Sequence, residues 1–213
     1  MLALDTVRAS GLAVDALVTF APPDARFRAH PLPVLAAQAA ALDIPHRVVP
    51  IEAPYDVSYR RAFERLAAEG FTHLVTGDID RVAGMPNWVR QCAEGLDLDV
   101  LTPLWERERA ELIAEVVARR IVAVISCVKA PLTASLCGRP LDDAALALVR
   151  AAGADLCGEN GEYHTLVLDG PGFRWPLVLD ATPVTGADGL TSLAVRGVAS
   201  GTGSDTLRRP GVC

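Results

Sequence analysis

Several features that define common protein classes are missing from this 213-residue chain. No uninterrupted apolar run approaches the length of a membrane-spanning helix, although 51% of the residues are hydrophobic. There is no basic cluster, and the formal net charge of -6 argues against non-specific binding to nucleic acid. The first eleven residues lack the basic-then-apolar layout of a signal peptide. We therefore expect a cytoplasmic globular protein with no nucleic-acid or membrane partner, folded as one large domain or two small ones.

The short motifs of several enzyme classes are also absent. The sequence has no Gly-x-Ser-x-Gly elbow, no His-Glu-x-x-His pair and no phosphate-loop lysine. Its five cysteines are an odd number without a Cys-x-x-Cys pair, which argues against a disulfide framework and against a zinc site. We expect Cys127 to be a core residue and Cys157 to be a packed thiol rather than a nucleophile.

The most informative residues that are present form the stretch 157–165, Cys-Gly-Glu-Asn-Gly-Glu-Tyr-His-Thr. Its two glycines favour a tight loop, because glycine adopts positive φ and lets a ligand approach the backbone. The apolar residues 166–168 follow, so we expect the loop to lead into a β-strand. Taken alone, the same residues fit a solvated acidic turn before an edge strand equally well.

Apolar strands alternate with helices as far as residue 152. Strands are predicted at residues 14–20, 46–51, 72–76, 98–102 and 121–128. Helices are predicted at residues 32–42, 57–69, 87–96, 106–120 and 142–152. Such alternation predicts βαβ units and a mainly parallel sheet. After Gly153 the pattern changes to loops and strands.

In open parallel sheets, ligands bind beyond the carboxyl ends of the strands. This rule points to Thr19 at the end of the first strand and to the turn Gly77, Asp78 and Ile79 after the third. We predict that these four residues contact a nucleotide and that Asp78, with Asp80 beside it, orients Mg²⁺ through water. The alternative is that Asp78 is an ordinary turn or capping acid.

The stretch 157–165 is similar to the Gly-Glu-x-Gly-Glu-Tyr-x-Thr signature of the diphthine–ammonia ligase family of ATP-binding proteins. Other motifs of that family occur in the same order, namely Gly77-Asp78-Ile79, Pro103-Leu104-Trp105 and Asp169-Gly170-Pro171 with Phe173. The resemblance covers residues 1 to about 179.

The resemblance implies an α/β enzyme with a Rossmann-like parallel sheet, flanking helices and a smaller C-terminal α/β substrate domain. Residues 1–103 would form the nucleotide-binding domain, of the adenine nucleotide α-hydrolase type, and residues 104–199 the substrate domain. Residues 200–213 would be a disordered tail. The implied activity uses ATP and Mg²⁺ to adenylate a carboxylate and amidates it with ammonia. The acceptor would be diphthine or another carboxylate, small or protein-borne, and a homodimer is compatible with this reading.

The same resemblance assigns roles within the stretch 157–165. Glu159, Glu162 and His164 are the expected catalytic residues, which bind a cationic substrate group, hold ammonium or accept protons. The expected substrate-binding residues are Gly158, Gly161, Tyr163 and Thr165.

Two departures from the family pattern limit this reading. The family's strand and Ser-Gly-Gly-Lys-Asp-Ser phosphate loop are absent, and the first residues resemble the helix that follows that loop. Losing three hydrogen bonds to phosphate would cost on the order of 5 kcal/mol. We therefore expect poor ATP binding, because the true start lies upstream or because the copy has decayed. The loop-like residues 200–205 lack a lysine and belong to the expected tail.

The second departure is that residues 80–88 lack the family's Tyr-Gln-x-x-Arg pattern. This indicates a bacterial branch, so a carboxylate other than diphthine stays open as the acceptor. Two alternatives stay open: a nucleotide-binding remnant without catalysis, and an adenine nucleotide hydrolase or pyrophosphatase.

Overall fold

The structure is a computed structural model, and it describes residues 1–81 and 84–201. The expected tail therefore lies outside the described residues from residue 202 onward, whereas Ser200 ends the last strand. In chain order the elements are α1 (Leu2–Ala9), β1 (Leu17–Ala21), α2 (Leu32–Leu42), β2 (His46–Pro50), α3 (Tyr55–Ala68), β3 (His73–Val75), α4 (Trp88–Ala93), β4 (Asp99–Leu101), α5 (Arg109–Ala118), β5 (Val122–Val128), α6 (Asp143–Ala151), β6 (Tyr163–Asp169), β7 (Leu177–Thr185) and β8 (Thr191–Ser200).

The chain divides into two compact units. The first unit comprises residues 1–25 and 46–108, and the second comprises residues 26–45 and the chain from residue 109 onward. Helix α2 thus belongs to the second unit, although it lies between the first two strands of the first unit in sequence. The functional domain boundary expected at residue 103 stays a prediction.

The first unit contains two parallel strand pairs. Strand β1 pairs with β2, and β3 pairs with β4. The fully buried Phe63 on α3 lies at the centre of its core, 5.6 Å from the ring of Phe20 and 5.9 Å from that of Tyr59. Aromatic rings at such distances add to the free energy gained by burying their apolar area.

The second unit is built on one antiparallel sheet with the strand order β6-β5-β8-β7. Helices α2 and α6 contribute to the same core, with Val34 and Ala41 from α2 and Val149 from α6 fully buried. The Gln38 side chain of α2 also donates to the Val167 carbonyl of β6 at 2.7 Å. Helix α2 is therefore fixed to the sheet by both apolar packing and a hydrogen bond.

The prediction of a mainly parallel sheet is confirmed in part: the strand pairs of the first unit are parallel, but the sheet of the second unit is antiparallel. Residues 122–128 do form a strand, but β5 is antiparallel to both of its neighbours, β6 and β8. Six of its seven residues are buried, and such a continuous apolar run is also typical of a parallel strand covered on both faces. The run therefore identifies a central strand and leaves its direction open. The fold is mixed α/β, with parallel strand pairs in one unit and an antiparallel sheet in the other.

The helix predicted at residues 106–120 is shorter than expected. Glu106 has φ = 55°, and its N–H donates to the Ile79 carbonyl at 2.8 Å. A left-handed residue cannot continue a right-handed helix, so α5 begins at Arg109. Arg120, also left-handed with φ = 54°, closes the other end. None of the helices in the described part of the chain is long and apolar enough to cross a membrane.

Candidate functional site

The acidic loop, residues 155–162, connects α6 to β6 within the second unit. Residues 163–165 continue into β6 and pair with β5, where Val128 lies opposite Tyr163 and Cys127 opposite His164. The structure thus brings together all seven residues that the sequence predicted in this stretch, because they are contiguous and one loop holds them. Their functional roles stay predictions.

Glu162 organises the loop from inside. Its side chain is buried, and its carboxylate accepts from the backbone N–H of Asp155 at 3.0 Å and from Asn160 N and Nδ2, each at 3.1 Å. Burial disfavours the ionised form, but these hydrogen bonds outweigh it and lower the pKa of Glu162. The predicted catalytic carboxylate is therefore occupied in holding the backbone of its own loop.

Tyr163 and Gly158 fix the loop from the strand side. The buried Tyr163 hydroxyl donates to the Leu156 carbonyl, and burial raises the pKa of this phenol. Gly158 has φ = 74°, and a Cβ there would lie 2.6 Å from the Tyr163 carbonyl oxygen. Only glycine fits this position, for both its backbone conformation and its space.

Asp155 is a further loop residue that the sequence reasoning missed. Its carboxylate accepts from Cys157 N at 2.7 Å and forms an ion pair with Arg109 Nε at 3.2 Å. Asp155 lies two residues before the recognised stretch, and an aspartate after a helix gives no signal of its own. Cys157 is half-buried, and burial raises the pKa of its thiol to about 11, so the thiolate is scarce at neutral pH.

Two imidazoles, one exposed and one half-buried, lie beside the loop. His164 is exposed on β6, and its ring centroid lies 5.4 Å from that of His30 in an edge-to-face arrangement. Burial and the neighbouring His164 lower the pKa of His30, whereas burial and the Lys129 ammonium lower the pKa of His164. Both rings are consequently neutral at pH 7, which is the state that accepts a proton. His30 precedes α2, and no motif connects it to the loop in sequence.

Lys129 is the second residue that the sequence reasoning missed. It follows β5, and its Nζ lies 3.2 Å from the position that a Cβ on Gly161 would take. Gly161, with φ = 74°, therefore leaves room for this ammonium. The available signal was composition, since Lys129 is the only lysine among the 20 basic residues of the chain.

The predicted nucleotide-contacting residues all belong to the first unit. Thr19 on β1 exchanges a hydrogen bond with His46 Nε2 at 2.9 Å. Gly77 is exposed, and the half-buried Asp78 accepts from Asn87 Nδ2 at 2.7 Å. Ile79 is buried, so its side chain supports the turn while its carbonyl accepts from Glu106 N. Their nucleotide contacts stay predictions.

A cleft of about 430 Å³ lies beside this turn in the first unit. Its lining includes Arg81, Asn87, Arg90 and Trp105. In the part of the chain that the structure describes, no three His, Cys, Asp or Glu side chains are grouped to hold a metal ion. The carboxylate of Asp78, with Asp80 two residues further on, is a donor set that suits Mg²⁺ only when phosphates and water supply the other ligands.

Together these features define a mixed α/β protein whose antiparallel unit presents a preformed acidic loop beside two imidazoles and a lysine. Residues 108–184, which contain the whole loop, match the family model described as diphthamide synthase C-terminal domain. The chain is diphthine–ammonia ligase-like, which confirms the resemblance predicted from its motifs.

Proteins named diphthine–ammonia ligase from three vertebrates give the measure of this similarity. The chain is 34% identical to that of Bos taurus over 103 residues, 45% of this chain and 38% of the relative. It is 32% identical to that of Homo sapiens over 103 residues, with the same two shares, and 35% identical to that of Danio rerio over 98 residues, 43% and 37%. The chain thus spans less than two fifths of the relatives that it matches.

Proposed function

We propose that this chain is part of an ATP-dependent, AMP-forming amide ligase, which joins ammonia to the carboxylate of diphthine or of another acceptor. The observation that carries the proposal is the hydrogen-bonded acidic loop, which lies with the imidazole of His164 within the residues that match the family model. The relatives' name, diphthine–ammonia ligase, supplies the reaction class.

The chemistry explains why such a loop is useful. An acceptor carboxylate oxygen attacks the α-phosphorus of ATP, pyrophosphate leaves, and the acyl group becomes bonded to AMP. Ammonia then attacks the acyl carbon, AMP leaves with the bonding electron pair, and the new amide nitrogen loses a proton. Because only neutral ammonia is a nucleophile, a nearby group must accept a proton from ammonium.

The exposed side chains of the loop divide these tasks. His164 accepts a proton, since burial and Lys129 keep its pKa low and its ring neutral at pH 7. Glu159 is exposed at the turn of the loop and attracts ammonium or the quaternary ammonium group of diphthine. Glu162, Tyr163, Gly158 and Gly161 position these groups through the hydrogen bonds and close contacts of the loop, while the half-buried Thr165 lines the strand beside them.

ATP and Mg²⁺ belong to the first unit in this proposal. Thr19, Gly77, Asp78 and Ile79 would contact the nucleotide, and Asp78 would orient Mg²⁺ through water. The two parallel strand pairs support a Rossmann-like domain of the adenine nucleotide α-hydrolase type. We further propose a bacterial, cytoplasmic protein that is compatible with a homodimer.

The test uses native protein from its source with ATP, Mg²⁺, ¹⁵N-ammonium and a panel of carboxylates that includes glycine betaine. We expect AMP, pyrophosphate and ¹⁵N-amide in equal amounts, each dependent on the carboxylate and on ammonium. Glu159→Gln and His164→Gln should each lower turnover about 10²-fold or more. AMP formation without an acceptor would instead identify a nucleotide hydrolase. Wild-type turnover in both variants would contradict the assigned roles.

A further inference from the structure

The basic residues of this chain are almost all of one type. All of them are arginine except Lys129, which lies beside the acidic loop. Arginine and lysine differ in recognition, because guanidinium holds both oxygens of a carboxylate whereas ammonium is a compact charge with rotatable donors. A chain that otherwise uses arginine throughout therefore has a lysine only where the candidate site is.

The backbone of Lys129 is fixed to the loop. Its N–H donates to the Glu162 carbonyl at 2.9 Å, and the preceding residue, Val128, is buried opposite Tyr163. The side chain then extends over Gly161, the glycine that leaves room for it. The ammonium position is thus set by the same contacts that set the loop.

The ammonium of Lys129 is available for a ligand. None of the ion pairs among the described residues includes it. The imidazole of His164 is close enough for Lys129 to lower its pKa, and His30 contacts His164. A cation beside two neutral imidazoles is a receptor for a small anion.

We propose that Lys129 binds the carboxylate of the acceptor substrate, with His164 and His30 lining the same receptor. This inference rests on the proposed ligase function, which requires such a carboxylate. A single ammonium suits the reaction because it binds one carboxylate oxygen and leaves the other free to attack ATP. A guanidinium in its place would hold both oxygens in the unreactive carboxylate.

Because the chain has one lysine, this proposal is testable by direct labelling. Reductive methylation with ¹³C-formaldehyde keeps the charge and gives Lys129 a single dimethylammonium NMR signal, distinct from that of the terminal amine of Met1. Glycine betaine is the probe, since it carries a carboxylate next to a quaternary ammonium. Choline is the matched control, because it has the same quaternary ammonium and a hydroxyl in place of the carboxylate.

We expect a saturable shift of the Lys129 signal with glycine betaine and none with choline chloride at equal ionic strength. In unlabelled protein, the His164 ring signals should follow the same titration, and Lys129→Met should weaken it about tenfold or more. Equal shifts with betaine and choline, or an unchanged titration in Lys129→Met, would overturn the proposal. An unchanged unfolding midpoint checks that Lys129→Met is folded.

Lys129→Arg separates a carboxylate-binding role from a merely structural one. We expect this variant to keep the KM for the acceptor within a few-fold and to lower kcat at least tenfold, because both carboxylate oxygens become bound. Unchanged kcat would overturn the single-oxygen geometry. Betaine binding without ligase activity would support carboxylate binding by Lys129 and contradict the proposed ligase function. Ligase activity with an unchanged acceptor KM in Lys129→Met would support the ligase function and contradict carboxylate binding by Lys129.

Discussion

The acidic loop and the strand-end turn at residues 77–81 both carry acids in a short connection, but they are held in different ways. In the acidic loop, Glu162 and Asp155 accept hydrogen bonds from backbone N–H groups of the loop itself. In the strand-end turn, the Asp78 carboxylate accepts from the side chain of Asn87. Acids that bind backbone donors fix the path of the chain, and so the acidic loop is formed before a ligand arrives.

The ion pairs of the two regions differ in the same way. Asp155 of the acidic loop and its partner Arg109, the first residue of α5, are 17% and 27% exposed. Arg81 of the turn and its partner Glu106 are each 54% exposed. Solvent screens the second pair more strongly than the first. We therefore expect the acidic loop to be more rigid than the strand-end turn, and substitutions in both regions test this expectation.

The largest effect is expected from Gly158→Ala. The new Cβ would lie 2.6 Å from the Tyr163 carbonyl in a left-handed backbone conformation. We expect a loss of roughly 2–5 kcal/mol in the free energy of unfolding, measured by urea denaturation.

Gly153→Ala is the matched control for this change. Gly153 has a similar φ of 68°, and no atom lies within 4 Å of its added Cβ. It should cost only the backbone penalty of about 1–2 kcal/mol. Equal losses in the two variants would show that the close approach at Gly158 does not matter.

The next effect distinguishes the two glutamates of the loop. Glu162→Gln replaces a buried carboxylate that accepts three hydrogen bonds, so we expect a loss of about 1.5–3 kcal/mol in stability. Glu159→Gln changes an exposed side chain and should cost less than about 1 kcal/mol. Thermal unfolding of both variants tests the contrast, and a larger loss at Glu159 would reverse their assigned roles.

The pH dependence of stability gives an independent measure of Glu162. Its pKa is lower in the folded protein than the ordinary value of 4.5, so its ionised form stabilises the fold. That stabilisation is fully present above the ordinary pKa and is lost as pH falls through the folded pKa. The stability difference between wild type and Glu162→Gln should therefore be constant well above pH 4.5 and shrink as the pH falls below about 4.5, as followed by urea midpoints. A constant difference would mean that the charge contributes nothing.

The smallest effect compares the two ion pairs by double-mutant cycles. With Arg109→Met and Asp155→Asn we expect a coupling energy of about 1–2 kcal/mol, because the pair is half-buried. With Arg81→Met and Glu106→Gln we expect less than about 0.5 kcal/mol. Equal couplings would remove the proposed difference in rigidity between the two regions.

The sequence predicted most elements well because their local signals were strong. Helix α2 has the predicted bounds, and α3 ends at Ala68, one residue before its predicted end, where the left-handed Gly70 with φ = 95° soon follows. Cys127 is a buried core residue, as predicted. The family resemblance also came from a local motif, the contiguous stretch 157–165.

What failed or was missed depends on contacts between distant residues. The direction of β5 is set by its pairing with β6 and β8, which burial of its own side chains cannot reveal. The start of α5 is set by the hydrogen bond from Glu106 to Ile79 across the turn. The ring of His30 contacts that of His164, which lies 134 positions later in the chain. Glu162 was identified as a site residue, but its burial beneath the loop follows from the loop's closure.

During synthesis, helix α2 leaves the ribosome long before the strands against which it packs. Its partners in the second unit, including Val167 and the strands β6 to β8, emerge more than 100 residues after it. At about 5–20 residues per second, the ribosome delivers them some 6–25 s after the helix itself. During this interval the apolar face around Val34 and Ala41 has no sheet to cover it. The nascent chain is therefore exposed to aggregation and to chaperone binding at this face until β6 to β8 have been made.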